Sequence, residues 1–220
     1  MKGLLVKDFK LMKAQKKFVF VFVVMAVVFS FVMENTAFLI GYLTFVMPFY
    51  GLSTISYDEF DNGNPFLFTL PISRKLYVME KYCFSALLGC ISFVFGIVFT
   101  YLVTVVKHEQ GKFWVTVQYA PIVLIVAFAF LSLMLPLQLK LGAEKARVAL
   151  IGVCLVIFVG GYACIQLLLR NVLKISVLVL MKRLFEQQIG ILTASAFIFV
   201  ICAILISIRI SIGIMRKKEF

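Results

Sequence analysis

Hydrophobic residues in this chain do not alternate with polar ones; they run together. Six near-continuous apolar stretches, at 18–33, 37–56, 82–106, 119–139, 148–169 and 189–208, are separated by short polar segments. A helix needs about 20 apolar residues to cross the hydrocarbon of a bilayer, so the pattern predicts six membrane-spanning helices. The first run is short, and Val32, Met33 and the flanking lysines extend it by snorkelling. Runs such as FVFVFVVMAVVFSFVM exclude a barrel, whose strands alternate apolar and polar positions. The expectation is an all-α integral membrane fold, with residues 1–220 forming one transmembrane domain.

The segments between the runs carry their own patterns. On a helical wheel over 1–17, Lys7, Lys10, Lys13 and Lys17 gather on one side while Leu4, Leu5, Phe9 and Met12 face the other, which predicts an amphipathic interfacial helix leading into the first span. Glu34–Asn35–Thr36 is a minimal turn, so the first two spans form a tight hairpin. Between the second and third runs lies the one polar, turn-rich insert, YDEFDNGNPFLFTLPISRK, residues 57–75. There Asn64–Pro65 predicts a helix start, Pro71 its end, and Ser73 the cap of the next helix. The result is a short exposed helix bearing Phe66, Leu67, Phe68 and Leu70, with acids at Asp58, Glu59 and Asp61 nearby. Those bulky side chains need a cover, and the acids favour a protein partner over an anionic leaflet. In the third run Ser85, Gly89, Ser92 and Gly96 recur at helical spacing and predict a helix-packing stripe. Residues 170–188 are expected to form a re-entrant or interfacial excursion, since 175–181 is too short to span.

Composition then fixes the class and charge fixes the orientation. The chain is 63% hydrophobic and only 15% charged, with a mean hydropathy of +1.09, far outside soluble usage. Of its 22 basic residues, 16 fall on one side of the predicted spans: Lys2 to Lys17, Arg74, Lys75, Lys81, Lys140, Lys145, Arg147, and Arg209 to Lys218. By the positive-inside rule both termini and the 57–81 segment are cytoplasmic, in a cell membrane. The net charge of +12 is thereby explained by topology and anionic lipid, and no nucleic acid is expected as partner. Glu34–Asn35–Thr36 offers no small-residue cleavage site, so no cleavable signal peptide is expected.

The chemistry that is missing narrows the function. The chain has no phosphate-binding G-x-x-x-x-G-K-[ST], no H-E-x-x-H and no G-x-S-x-G. Its single histidine, His108, sits in a loop, and its five cysteines lack C-x-x-C spacing and are expected to be buried packing residues. No acid falls in the middle of a span, which disfavours ion-driven transport. Neither enzymatic activity nor a cofactor or metal is expected of this chain. If it transports, its energy comes from another polypeptide.

The insert also carries a resemblance. The sequence Ser56–Tyr57–Asp58–Glu59, followed by FLFTLPISRKLYVMEKY, resembles the corresponding region of ABC-2 type exporter permeases, and MKGLLVKDFKLMK resembles their amphipathic lead-in helix. The nearest kind is the small bacterial permease handling bacitracin, lantibiotics or phenol-soluble modulins. Gly63–Asn64–Pro65 departs from that pattern, where relatives have a more continuous polar helix. The resemblance implies that 58–75 is a coupling helix docking on a separate ATPase, which holds the ATP and Mg. Phe66, Leu67, Phe68, Leu70, Pro71, Ile72, Ser73 and Arg74 then make the contact, with Asp58 and Glu59 as its polar rim. It further implies a second permease copy or paralogue and a substrate; the greasy, Phe-rich spans suit an amphipathic peptide. The alternative function is a membrane sensor or immunity subunit that binds a peptide without moving it.

Overall fold

The computed structural model describes residues 2–33, 36–60, 63–171 and 189–218, and these are helical nearly throughout. In chain order the helices are α1 (Lys2–Ala14), α2 (Lys16–Val32), α3 (Ala37–Val46), α4 (Pro48–Glu59), α5 (Gly63–Thr69), α6 (Arg74–Val106), α7 (Gln110–Asn171) and α8 (Ile189–Lys217). No strand occurs among the described residues.

Among the described residues, four helical stretches are long and apolar enough to cross a membrane: Ala37–Glu59, Arg74–Val106, Phe113–Gly142 and Gly190–Lys217. They correspond to the second, third, fourth and sixth predicted runs. The first run is α2, whose 17 residues reach only about 25 Å at 1.5 Å per residue. It reaches spanning length only together with α1, from which it is bent by 66° at Gln15, where φ is −93° and ψ 44°. The fifth run, 148–169, is helical within the far limb of α7, and most of its side chains fall outside the described residues. The excursion expected at 170–188 lies outside them from residue 172 onward, as do Glu34 and Asn35 of the first turn.

Local sequence explains the interruptions. Pro48 lacks the amide hydrogen that would bond to the carbonyl of Thr44, and α3 hands over to α4 there while Met47 keeps helical angles. Within α7 the break falls at Gly142, with φ 78° and ψ 169°, a conformation that only glycine adopts cheaply. It separates the fourth run from the fifth.

The stripe on α6 meets the second span. Ser85, Gly89, Ser92 and Gly96 are all buried, and Thr100 and Thr104 prolong the row. A Cβ on Gly89 would lie 2.7 Å from the Phe128 ring and 3.3 Å from Pro48, and one on Gly96 would lie 3.4 Å from Leu43. From the other side Gly51 faces Ser85, whose hydroxyl would be 1.9 Å from an added Cβ. Backbones approach closely here because side chains are absent, which is how helices associate where lipid offers no hydrophobic drive.

Among the described residues, the largest buried apolar cluster lies at the end of the bundle where α1 meets the end of α8. There Leu4 of α1, Leu52 and Ile55 of α4, Leu67 of α5, Tyr77 of α6, Leu135 of α7 and Met215 of α8 share one apolar cluster. Side-chain hydrogen bonds fasten the long helices to one another. The Tyr82 hydroxyl is 2.5 Å from Ser207 Oγ and 2.9 Å from Ser211 Oγ, while Gln138 donates to the carbonyl of Leu52 at 2.7 Å. At the opposite end Lys107 donates to the carbonyl of Met33. The cysteines correct the expectation of burial: Cys83, Cys90 and Cys202 are exposed on the outside of the bundle, because an apolar environment is equally available facing lipid. The side chains of Cys154 and Cys164 lie outside the described set.

Candidate functional site

The insert between α4 and α6 folds as a short helix standing on the termini-bearing end. Phe60 leaves α4 in an extended conformation, α5 begins at Gly63, one residue before the expected Asn64 cap, and Thr69 ends it by donating back to the carbonyl of Phe66 at 2.7 Å. Pro71 follows in the turn, and Ser73 caps α6 as its sequence position suggested, its hydroxyl accepting from the amide of Leu76 at 3.2 Å.

Seven residues at 3.6 per turn cannot show every side chain to one side, and α5 divides its apolar residues. Leu67 is 8% exposed and packs into the apolar cluster together with Phe68 and Ile72. Phe66 and Leu70 point away, 72% and 47% exposed, beside an equally exposed Phe60 and the exposed Pro71 and Ser73. The expected exposed quartet is thus corrected: Leu67 and Phe68 form the root, and Phe66 and Leu70 form the tip. Where water is the alternative, burying a leucine contributes about 1.5–3 kcal/mol, enough to hold so short a helix in register.

Three polar attachments fix the root. In the first, Asp58, expected at a solvent-facing rim, is 7% exposed and turns inward instead. Its carboxylate accepts from Lys7 Nζ, from the Tyr77 hydroxyl at 3.1 Å, and lies 2.8 Å from Lys81 Nζ. Lys81, fully buried, also reaches Asp8 Oδ2 at 2.5 Å and Thr54 Oγ1 at 3.0 Å, and Glu80 Oε2 stands 3.8 Å away. Elements α1, α4 and α6 thereby share one buried charge cluster. Buried charges are tolerable only when paired and hydrogen-bonded, so each member depends on the others.

The second attachment is Arg74. Its guanidinium donates to the carbonyls of Met215 and Arg216 at 3.0 and 2.8 Å, capping the last turn of α8 with a cation, and sits 5.9 Å from the Phe68 ring centroid. The third is Glu59, which accepts from Lys218 at 3.0 Å; Lys218 also reaches the carbonyl of Leu139. Of the predicted contact residues, therefore, Phe66, Leu70, Pro71 and Ser73 share the open surface, whereas Asp58, Glu59 and Arg74 bond within the chain. Asp8 and Lys81 were not singled out by sequence as site residues; they stand 73 positions apart and no motif connects them.

Chemically the site is an apolar tip on a charge-locked base. No group of three or more His, Cys, Asp or Glu placed to hold a metal occurs among the described residues. A search of curated proteins finds no match to the chain. A family model does match, that of the ABC-2 family transporter protein, over residues 3–216. That match takes in both the lead-in helix and the capped insert, and it covers nearly the whole sequence: the chain belongs to the ABC-2 transporter family.

Proposed function

We propose that the chain is the membrane subunit of an ATP-driven exporter of amphipathic peptides, powered by a separate ATPase docked on the tip of α5. The observation that carries this reading is the division of α5 into an exposed Phe66–Leu70 tip and a root tied to α1, α4, α6 and α8. A contact that transmits force needs both: a face to be gripped and a base that does not yield. Six spans with both termini cytoplasmic give the topology. In its support, the elbow α1, the insert and the C-terminal residues are bonded together at one end, and that end carries the basic excess. Two such subunits and two ATPases complete the pump. Approach of the ATPases on binding ATP pushes on α5, and the capped start of α6 passes the tilt into the third span. The substrate assignment rests on the apolar, Phe-rich character of the spans, where a charged hydrophilic solute would find no compensating groups.

The test is affinity purification from native membranes, with identification of a co-purifying ABC ATPase and measurement of its ATP hydrolysis. The double variant Phe66→Asp/Leu70→Asp is expected to insert normally and to lose the ATPase, because it places charge on an exposed surface without disturbing the root. Retained association would remove α5 as the docking element. ATP-dependent peptide uptake into inverted vesicles separates export from binding without transport.

A further inference from the structure

Between α6 and α8, on the outside of the bundle, runs a groove of about 610 Å³ at the termini-bearing end. Its walls are hydrocarbon, from Met79 on α6 and Leu205, Ile206 and Ile212 on α8, and Gly213 leaves room where a side chain would fill it. Its rim is cationic: Lys75, Arg209 and Arg216 all line it. All three are exposed, and none has an acidic partner among the described residues, whereas Lys7, Lys81 and Lys218 each do. Arg209 lies seven residues before Arg216, about 10 Å further along the helix toward the hydrocarbon. A cation at that depth, unpaired in protein, is costly unless it meets an anion at the interface. We infer that this groove is a binding site for an anionic phospholipid, with the phosphate held by Lys75, Arg209 and Arg216 and the acyl chain laid along α8.

Charge complementarity and depth select the occupant. A free phosphate would satisfy the cations and leave the apolar walls bare, and a neutral lipid would fill the walls and leave the cations unpaired. Basic pockets between helices near a membrane surface are where anionic headgroups bind. The groove is separate from the tip of α5, so the inference stands or falls independently of ATPase docking.

The experiment is native mass spectrometry of the purified chain supplied with equimolar phosphatidylglycerol and phosphatidylcholine. Retention of phosphatidylglycerol is expected to exceed that of phosphatidylcholine by at least about fivefold, the preference that one well-placed cation provides. The triple variant Lys75→Gln/Arg209→Gln/Arg216→Gln should abolish the preference. A control, Lys10→Gln/Lys13→Gln/Lys17→Gln, removes the same charge from α1 and should keep it. All six side chains are exposed, and unchanged elution on size exclusion checks that the variants fold. Equal retention of the two lipids, or equal loss in both triple variants, overturns the site. So does displacement of bound lipid by inorganic phosphate alone, or groove-dependent binding of an acidic amphipathic peptide with no lipid preference; that last result would make the groove a substrate site instead.

Discussion

Lys81 shows how much can hang on one side chain. It is fully buried and sits against two carboxylates contributed by α1 and α4. Lys81→Met would leave the buried Asp8 with only the part-exposed Lys7, 3.4 Å away, and breaking a buried pair costs up to about 3–5 kcal/mol. The variant should therefore unfold in detergent at markedly lower temperature than the parent. Replacing both partners, Asp8→Leu with Lys81→Met, should recover much of the loss, since Asp58 keeps Lys7 and Tyr77. Unfolding curves that superimpose for parent and single variant would show that the cluster carries no stability. Gly51 makes the opposite argument, from space rather than charge. Gly51→Ala would drive a methyl into Ser85 Oγ and Cβ, and overpacking of this kind costs about 1–3 kcal/mol. Ser85→Gly in the same chain should relieve it, and failure of that rescue in the same melting assay would place the clash elsewhere.

Among the elements, what the sequence showed and what it hid can be separated physically. Run length is a local property, and of the six runs it picks out four are helices of spanning length among the described residues; capping chemistry is local too, and it located Ser73 at the start of α6. Facing is not local. Leu67 and Phe66 are neighbours of equal apolarity, and only the cluster beneath α5 determines that one turns in and the other out. In a membrane the ambiguity widens, because Cys83, Cys90 and Cys202 satisfy an apolar pattern as well facing lipid as facing protein. The Asp8–Lys81 pair was hidden for a different reason: charge on a lysine-rich helix reads as solvated until the partner helix is in place. Gly142 lies in the charged segment between the fourth and fifth runs, so the boundary is visible in composition, but which residue carries the break is not; its φ of 78° makes it testable. Gly142→Ala would hold a Cβ in a region reserved for glycine, at about 1–3 kcal/mol. Lower thermal stability is expected even though the nearest atom to that Cβ, Glu59 Oε2, is 3.5 Å away. No change in melting would mean that the break between the two limbs of α7 is soft.

For the molecule as a whole, the deciding question is which way round it sits. Intrachain bonds join α1 to α4 and α6 to the end of α8, the apolar cluster adds α5 at the same end, and Lys107 meets Met33 at the far end, so one labelled position on each side settles the orientation. In a chain with its own cysteines replaced, a cysteine at position 66 should resist a membrane-impermeant maleimide on intact cells and react after lysis. One at position 108, in the exposed turn after α6, should react at once. The reverse result would put α5 out of reach of any intracellular ATPase.

The clasp of Arg74 on the final turn of α8 has a mechanical corollary. A second bolt, Tyr82 with Ser207 and Ser211, joins the same two helices about two turns further in. Two fasteners along one seam suppress both sliding and hinging, so α6 and α8 travel as a single plank. Whatever opening accompanies a transport stroke must then occur along other seams, and disulfide trapping across the α6–α8 joint should leave turnover intact.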